Sequence, residues 1–286
     1  MRAGDLIQSV SEQFERAELF YGHGTDNEWD EAVALVLGVT GLPDEDASLH
    51  TLVPEAAVRK VLALAERRVV ERVPLPYLLG RWWFAGYEFL VEPGVIVPRS
   101  PIAELITHAF RPWLRRAPAR VLDLCCGGGC IGIATALTFP DSEVVMTDID
   151  PAAVALARRN IALHGLETRV RVLETDLYDG VEGRFDMILT NPPYVDAVDL
   201  AALPPEYAHE PVLALDGGGD GLDLMRRILA GAPARLAPGG ILVGEVGASA
   251  AALCRSVPAL PFVWVDLEDG GDGVFVLDAE AFDTKT

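Results

Sequence analysis

Apolar and polar positions alternate with a helical period at the start of the chain. Within residues 1–72, Leu6, Ile7, Val10 and Phe14 fall on one side of a helix, and polar residues occupy the positions between them. This pattern predicts a first amphipathic helix whose apolar face is buried.

Two further helical patterns follow. The first covers residues 28–37 and should end at Gly38 and at Gly41-Leu42-Pro43, because glycine and proline interrupt helices. The second covers residues 54–71, with Pro54 in a first turn that needs no N–H donor. Residues 1–80 are therefore predicted to form a helical N-terminal domain, which we expect to recognise the substrate.

After the helices the pattern changes to that of strands. Pro74-Leu75-Pro76-Tyr77 interrupts the helical pattern, and the aromatic segment 82–91 favours a strand. Gly94 should turn the chain toward a second strand at 95–99. We therefore predict a β-hairpin linker over residues 81–99.

From Arg120 onward, short apolar runs alternate with helical patterns. The predicted strands are 120–124, 143–147, 169–173, 185–189 and 241–246. The predicted helices between them are 131–137, 151–164, 222–236 and 248–255. This alternation is typical of an α/β fold with a mostly parallel, doubly wound, Rossmann-like sheet, which we assign to residues 100–286. Segments 262–267 and 274–277 flank a glycine-rich turn at 269–273 and predict a terminal antiparallel hairpin.

Composition indicates the kind of partner. The chain of 286 residues is 50% hydrophobic, enough for one large domain or two modest ones. Its 23 Lys and Arg against 43 Asp and Glu give a formal net charge of −20. Such a charge disfavours direct nucleic-acid binding and favours a basic protein partner, unless it serves solubility alone.

Cysteine usage and the first residues indicate the compartment. Cys125, Cys126 and Cys130 crowd one loop without an obvious disulfide partner, and no second Cys or His pair stands at zinc spacing. We expect a reduced, cytoplasmic protein without a metal. The start of the chain carries Asp5 and Glu12, so we expect no secretory or transmembrane segment and no membrane association.

A glycine-rich loop follows the strand 120–124. Gly127, Gly129 and Gly132 match the G-x-G-x-x-G pattern of dinucleotide sites, and Asp148 follows the next strand, so NAD is one interpretation. Asp123 favours another ligand, because its carboxylate suits an ammonium group and repels pyrophosphate. The loop also has no basic residue for phosphates. Both details favour S-adenosylmethionine, which has an amino-acid end and no phosphate.

Two further acidic residues follow predicted strands. The two oxygens of Asp148 can accept hydrogen bonds from both ribose hydroxyls. Asp176 can accept one from the adenine amino group, with Leu177 against the ring, although aspartate is also common in plain turns. The predicted cofactor site therefore consists of Asp123, Cys125, Cys126, Gly127, Gly129, Asp148, Ile149, Asp176, Leu177 and Asn191.

The sequence Asn191-Pro192-Pro193-Tyr194 follows another strand-like run. Two prolines lack N–H groups and restrict φ, so the chain leaves the strand as a stiff corner. A planar amide or amino group fits there, because its N–H donors meet the Asn191 side-chain oxygen and the Pro192 carbonyl. Tyr194 would cover its face. A simple turn is the other interpretation.

Together these motifs resemble the class I S-adenosylmethionine-dependent methyltransferases that modify a planar nitrogen. The helical domain and the hairpin with Val97-Pro98-Arg99 narrow the resemblance to the protein-glutamine methyltransferases, over nearly the whole chain. Asp123-Leu124-Cys125 and Leu203-Pro204-Pro205-Glu206-Tyr207 are similar to the branch that acts on ribosomal protein three of the large subunit. Cys126-Gly127-Gly128 departs from the family, which commonly has Thr and Ser there.

The resemblance implies methyl transfer from S-adenosylmethionine to the side-chain amide nitrogen of a glutamine in a basic protein, with S-adenosylhomocysteine as product. The expected substrate is ribosomal protein three. A peptide chain release factor is an alternative, and so is the amino group of DNA adenine, although DNA requires a basic, base-flipping surface. The expected catalytic residues are Asn191, Pro192, Pro193 and Tyr194. The expected substrate contacts are Asn191, Pro192, Tyr194 and Arg99.

Overall fold

The computed structural model describes residues 1–268 and 270–283, which form two compact units. The first unit comprises Met1–Trp82, Val91–Pro93 and Pro204–His209, and the second comprises Trp83–Leu90, Gly94–Leu203 and Glu210–Thr286. Asp269 of the predicted glycine-rich turn and residues 284–286 of the predicted α/β domain lie outside the described residues. The predicted division after residues 80 and 99 stays a prediction.

The first unit is helical. Its α-helices are α1 (Ala3–Arg16), α2 (Glu28–Thr40), α3 (Glu55–Val70) and α4 (Leu75–Leu79). The predicted apolar face of α1 is confirmed, since Leu6, Ile7, Val10 and Phe14 are all fully buried. One face of an amphipathic helix packs against its neighbours, and of the polar residues of α1 only Ser11 is buried with it.

Three details of the helical prediction are wrong. Gly38 lies inside α2, which ends at Thr40. The predicted stop at Gly41 is confirmed, since its φ of 69° is the left-handed conformation that glycine favours after a helix. Pro54 precedes α3 as its N-cap instead of lying in its first turn. Pro74 likewise precedes α4, and Pro76 lies in the first turn of that helix, so the segment begins a helix instead of interrupting one.

A buried charge network lies within the first unit. Arg68 on α3 is 1% exposed, and its guanidinium contacts Glu31 of α2 and, at 3.3 Å, Glu206. Glu206 also pairs with Arg72 at 3.2 Å and accepts a hydrogen bond from the Phe20 N–H at 3.1 Å. Burial raises the pKa of Glu206, but the Phe20 hydrogen bond and the Arg68 charge outweigh it and lower the pKa. The segment Pro204–His209 is thus tied into the helical unit by an ionised carboxylate.

We expect Arg68→Met to lower the free energy of unfolding by about 3–5 kcal/mol, because the buried Glu31 loses its arginine partner and Glu206 keeps only Arg72. Adding Glu31→Gln should recover part of the loss, because it removes the carboxylate whose arginine partner among the described residues is gone. Arg16→Met is the matched control: it breaks a pair with Glu12 whose side chains are 74% and 47% exposed, and should cost less than about 1 kcal/mol. Denaturant unfolding gives the free energy of unfolding of the parent, the two single variants and the double variant. Equal losses for Arg68→Met and Arg16→Met would contradict the role of the network.

A two-stranded hairpin follows α4. Its strands are β1 (Arg81–Phe84) and β2 (Tyr87–Leu90). The turn has Ala85 at a φ of 49° and Gly86 at 82°, as tight hairpin turns require. The prediction of a second strand at 95–99 is wrong, because the chain already reverses at Gly86 and residues 95–99 form no strand.

In the part of the chain that the structure describes, the second unit is built on a seven-stranded sheet. Its strands are β3 (Arg120–Leu124), β4 (Glu143–Asp148), β5 (Val170–Glu174), β6 (Phe185–Thr190), β7 (Leu236–Glu245), β8 (Val263–Trp264) and β9 (Val274–Asp278). Its α-helices are α5 (Ile102–Thr107), α6 (Cys130–Thr138), α7 (Pro151–Leu163), α8 (Ala197–Ala202), α9 (Asp223–Arg235) and α10 (Ala250–Ser256).

The strand order is β5-β4-β3-β6-β7-β9-β8. β3 pairs in parallel with β4 and β6, and parallel pairing continues to β5 and β7. β9 runs antiparallel between β7 and β8. The predicted doubly wound sheet and its antiparallel terminal strands are therefore confirmed. The chain leaves β3 toward one side of the sheet and later returns to the other side at β6, and open α/β sheets bind ligands at such a switch point.

Both faces of the sheet are covered. Val121 of β3 packs in one core cluster with Met146 and Met187, whereas its neighbour Leu122 packs in another with Ile188. Because successive side chains of a strand point to opposite faces, both faces demand apolar residues. This explains why these strands are recognisable as continuous apolar runs in the sequence.

Candidate active site

Four loops meet at one edge of the sheet. β3, β4, β5 and β6 run in the same direction, so their carboxyl ends lie side by side. Cys125 follows β3, Asp148 ends β4, Asp176 comes shortly after β5, and Asn191 follows β6. Because of the strand order, these residues follow one another along this edge as Asp176, Asp148, Cys125 and Asn191. The structure thus brings the predicted cofactor residues and the predicted catalytic motif together.

Hydrogen bonds hold the start of the glycine-rich loop to the strands on either side. The Thr190 hydroxyl of β6 donates to the Leu124 carbonyl at 3.1 Å, and the Cys126 N–H donates to the Thr147 carbonyl of β4 at 3.0 Å. Between these anchors Cys125 has a φ of 56°, in the left-handed region that disfavours a side chain. The loop therefore turns sharply at Cys125, in a conformation that the neighbouring strands maintain.

Asp123 contacts the first turn of α6. Its Oδ2 accepts a hydrogen bond from the Gly132 N–H at 2.8 Å. A Cβ at Gly132 would lie 2.6 Å from the Met146 sulfur and 2.9 Å from Asp123 Oδ2. Gly132 is therefore required for the close approach of α6 to the sheet, the role that the last glycine of the G-x-G-x-x-G pattern has in this kind of fold.

The other carboxylate oxygen of Asp123 is an unused acceptor. Asp123 is fully buried, and within residues 1–268 and 270–283 its Oδ1 has no hydrogen-bond partner. Burial raises the pKa of Asp123 to about 8 against the opposing effect of the Gly132 N–H, and the charge of Asp148 raises it further. A cationic group would favour the ionised form and use the free oxygen. The ammonium of an amino-acid ligand has the required charge and donors.

Asp148 receives backbone hydrogen bonds on both oxygens. Oδ2 accepts from the Gly127 N–H at 2.7 Å, and Oδ1 accepts from the Asp150 N–H at 2.9 Å. A carboxylate oxygen has two lone pairs, so each still has one acceptor position for a ligand hydroxyl. The adjacent Ile149 is 55% exposed and offers an apolar surface beside these oxygens.

Asp176 has a partner that the sequence analysis missed. Its Oδ2 accepts a hydrogen bond from Arg227 Nη2 of α9 at 2.7 Å. The two side chains are 37% and 54% exposed, so the pair adds little stability. The next residue, Leu177, is buried and has a φ of 49°. Among the described residues Oδ1 accepts no hydrogen bond, and the contact of Asp176 with adenine stays a prediction.

Of the three cysteines of the loop, Cys126 is buried and Cys125 and Cys130 are partly buried. Burial raises the pKa of Cys125, Cys126 and Cys130, and the negative charge of Asp123 acts in the same direction. They are therefore protonated at neutral pH and contribute packing, not nucleophiles.

No group of three His, Cys, Asp or Glu side chains in the described residues could hold a metal ion. Over the same residues, no helix is both long and apolar enough to cross a bilayer.

The Asn191–Tyr194 motif leaves β6 beside the glycine-rich loop. Thr190 at the end of β6 pairs with Leu124 at the end of β3, so the next residues, Asn191 and Cys125, leave the sheet side by side. Pro192 and Pro193 are buried, whereas Asn191 is partly exposed. Among the residues that the structure describes, no hydrogen bond engages the Asn191 side chain. Its amide is thus available to a ligand at the switch point.

Tyr194 is held by a residue that the sequence analysis missed. Its hydroxyl donates to Glu245 Oε1 at 2.8 Å, and the Ser100 hydroxyl donates to Glu245 Oε2 at 2.6 Å. Burial raises the pKa of Glu245, although both hydrogen bonds and the charge of Arg99 oppose this. A signal was present in the sequence, since Glu245 is the one acidic residue in the apolar run 241–246.

Arg99, a predicted substrate contact, makes a bidentate ion pair. Its two terminal nitrogens donate to the two oxygens of Glu210, with Nη2 at 2.7 Å from Oε2. Glu210 is 4% exposed and also accepts from the Val97 N–H at 3.0 Å. In the structure Arg99 therefore orders Glu210, and its contact with the substrate stays a prediction.

Comparison with known proteins shows to which family the chain belongs. The family model of the methyltransferase small domain matches residues 104–204. Two curated relatives, from Francisella tularensis and Neisseria gonorrhoeae, are named ribosomal protein uL3 glutamine methyltransferase, and each is 44% identical to this chain. The matches cover 96% of this chain, with 88% of the first relative and 94% of the second. The chain belongs to the uL3 glutamine methyltransferase family.

Solved structures share the fold of this methyltransferase. A methyltransferase from Pyrococcus furiosus matches with a TM-score of 0.50 and 19% identity, over 77% of this chain and 96% of that one. The catalytic domain of hMettl16, solved with a MAT2A 3′UTR hairpin, matches with a TM-score of 0.53 and 14% identity, over 96% and 90%. At such identities the likeness shows the fold alone, which is the predicted methyltransferase fold.

Family membership also confirms the predicted cofactor and chemistry: the methyltransferase uses S-adenosylmethionine. The site fits this ligand on two observations made above. Asp123 has a buried acceptor without a partner among the described residues, and S-adenosylmethionine has an ammonium that can donate to it. The glycine-rich loop itself contains no basic residue, and S-adenosylmethionine has no phosphate.

We expect Asp123→Asn to stabilise the cofactor-free methyltransferase at alkaline pH. The pKa of Asp123 is 3.8 as a free side chain and about 8 in the folded protein, so the folded protein holds this proton more tightly. The stability that the proton contributes is complete below the lower pKa and is lost as pH rises through the upper pKa. Asparagine keeps an acceptor for Gly132 and removes this pH dependence. Melting temperatures between about pH 5 and about pH 9 measure the difference.

The same variant should bind S-adenosylmethionine more weakly, because it lacks the buried carboxylate that is predicted to bind the ammonium. A charged hydrogen bond is worth roughly 1.5–3 kcal/mol, which corresponds to about a tenfold or greater loss of affinity by calorimetry. Parallel pH profiles for the parent and Asp123→Asn, or unchanged affinity, would contradict the assignment of Asp123.

Proposed function

We propose that this chain transfers a methyl group from S-adenosylmethionine to the side-chain amide nitrogen of a glutamine in ribosomal protein uL3, with S-adenosylhomocysteine as product. The observation that carries the proposal is the position of Asn191. It follows β6 beside the loop that follows β3, and its side-chain amide is not engaged by the described residues. The relatives named for uL3 support this substrate over a release factor.

The residues at the ends of β3, β4 and β5 hold the cofactor in this proposal. Asp123 receives the ammonium on its unused oxygen, and Asp148 receives the ribose hydroxyls. Asp176 receives the adenine amino group through Oδ1, with Ile149 and Leu177 against the ring. S-adenosylmethionine supplies an electrophilic methyl group on a sulfonium, and no nucleophilic side chain is needed to accept it.

Asn191 and Pro192 orient the glutamine. The Asn191 side-chain oxygen and the Pro192 carbonyl accept hydrogen bonds from the two N–H groups of the glutamine amide. These acceptors increase the electron density on a nitrogen whose lone pair is delocalised, and they do so without reorganising during the reaction. Alignment of this nitrogen with the methyl group supplies the remaining rate enhancement. The displaced proton leaves to water, so no side chain acts as general base.

Charge and cysteine state support the partner and the compartment. A net charge of −20 attracts a basic protein, and proteins that bind RNA phosphates are basic. All four cysteines are free, as suits a reducing compartment. We therefore place the reaction in the cytoplasm.

A labelled-methyl assay tests the proposal. The chain is incubated with labelled S-adenosylmethionine and purified uL3, with a peptide chain release factor as the control substrate, and mass spectrometry of the digests locates the label. We expect label on a glutamine of uL3 and none on the release factor. Label on the release factor alone, or on another residue type, would contradict the proposal.

Asn191→Ala should lower the single-turnover rate by about a hundredfold to a thousandfold, because one preorganised acceptor is lost. Cofactor affinity and melting temperature should stay close to those of the parent. Asn27→Ala is the matched control: Asn27 caps α2 by accepting from the Asp30 N–H, so its loss should cost about 0.5–2 kcal/mol of stability without slowing turnover.

The catalytic role of Asn191 would be contradicted by near-parental turnover of Asn191→Ala. It would also be contradicted if Asn191→Ala and Asn27→Ala lost activity in the same proportion to their loss of stability.

A further inference from the structure

The hydroxyl end of Tyr194 is held by a residue outside the Asn191–Tyr194 motif. It donates to Glu245 Oε1 at 2.8 Å. Glu245 is the last residue of β7, and the preceding residue, Gly244, pairs with Thr190 at the end of β6. The two strand ends are therefore adjacent, and Glu245 lies beside the motif without belonging to it.

Glu245 is itself held in one position. The Ser100 hydroxyl donates to its second oxygen at 2.6 Å and accepts from the Ile102 N–H, at the start of α5, at 3.2 Å. Glu245 is 3% exposed, so water does not replace these donors. Rotation of the carboxylate would break a buried hydrogen bond, which makes the observed orientation strongly preferred.

Close packing also restricts Tyr194. A Cβ on Gly247 would lie 2.7 Å from Tyr194 Cε2, and one on Gly217 would lie 2.7 Å from Tyr194 Cα. A Cβ on Gly221 would lie 2.3 Å from the Tyr194 carbonyl oxygen, which also accepts from the Ser249 hydroxyl at 3.3 Å. Two of these glycines lie before α9 and the third follows β7, and any larger residue there would displace the tyrosine.

The contacts of Glu245 and of the three glycines restrain the Tyr194 side chain, which the two prolines of the motif do not restrain. Pro192 and Pro193 make the backbone of the corner stiff, but a tyrosine side chain still rotates about two bonds. The Glu245 hydrogen bond restrains the ring from its far end, and Gly247 allows the backbone to pack against it. A flat amide can be aligned against a flat ring only when the plane of the ring is itself restrained.

We propose that Glu245 is a positioning residue for methyl transfer, acting through Tyr194 by fixing the plane of the ring against which the glutamine amide is aligned. The inference rests on the proposed function of the Asn191–Tyr194 motif. Glu245 makes no contact with the substrate in this scheme and takes no proton from it.

A double-mutant cycle between Tyr194 and Glu245 tests the inference. The variants are Tyr194→Phe, Glu245→Leu, the double variant, and Glu245→Gln. Leucine removes the acceptor and keeps most of the volume. Glutamine can still accept from the Tyr194 hydroxyl and donate to Ser100, whose hydroxyl has a lone pair to spare. Single-turnover rate on uL3, cofactor affinity and melting temperature are measured for each variant.

We expect Glu245→Leu to lower the single-turnover rate by about tenfold to a hundredfold, which is the size of loss that a misplaced reacting group produces. Cofactor affinity should stay within about twofold, because no cofactor contact is assigned to Glu245, and Glu245→Gln should restore most of the rate. The double variant should be no slower than Tyr194→Phe alone, since the two residues act as one unit. Losses that multiply in the double variant, or a Glu245→Gln as slow as Glu245→Leu, would overturn the inference.

A second measurement does not depend on activity. In protein labelled with ¹³C-tyrosine, the ring resonance of Tyr194 is identified by its absence in Tyr194→Phe. We expect it to move in Glu245→Leu, and an unmoved resonance would overturn the inference even if that variant is slow. Failure of the proposed function is visible in the parent, which would leave uL3 unlabelled. Failure of this inference is visible only in the variants.

Discussion

The site depends on the parallel pairing of β3 with β4 on one side and with β6 on the other. Leu124 is level with Thr147 and with Thr190, so the loop after β3, the Asp148 carboxylate and the Asn191 amide emerge at one edge. A slip of one residue would move every side chain of the strand to the opposite face of the sheet, into a core that is packed around other residues. Backbone hydrogen bonds between strands thus determine which chemical groups, far apart in the chain, become neighbours.

The strands, and the acids that interrupt or end them, were predictable for physical reasons. A strand covered on both faces is apolar throughout, so 120–124 and 185–189 were recognisable without knowledge of their neighbours. Asp123 was notable for the same reason, since an isolated acid in such a run needs a compensating partner. The errors fell where one residue type serves two local structures. Pro74 could end a helix or precede one, and Gly94 and Gly86 were both able to make a turn.

The partners of the predicted residues could not be predicted. Arg227 on Asp176, Glu210 on Arg99 and Glu245 on Tyr194 are contacts between segments far apart in the chain, and no spacing rule connects them. The sequence shows the chemical type of a side chain, but its partner depends on strand order and on how loops cross the sheet edge. Glu245 came nearest to being predicted, because an acid in an apolar strand must be neutralised or hydrogen-bonded.

The segment Pro204–His209 has a consequence for how this enzyme can be divided or recombined. It belongs to the helical unit, and its Glu206 is ionised and buried there with Arg68 and Arg72. The helical unit is therefore discontinuous in the chain and is not a removable N-terminal module. A fragment that begins after the helices would keep a carboxylate whose two arginines have been deleted. A chimera that takes its helices from a relative must take residues 204–209 from the same parent.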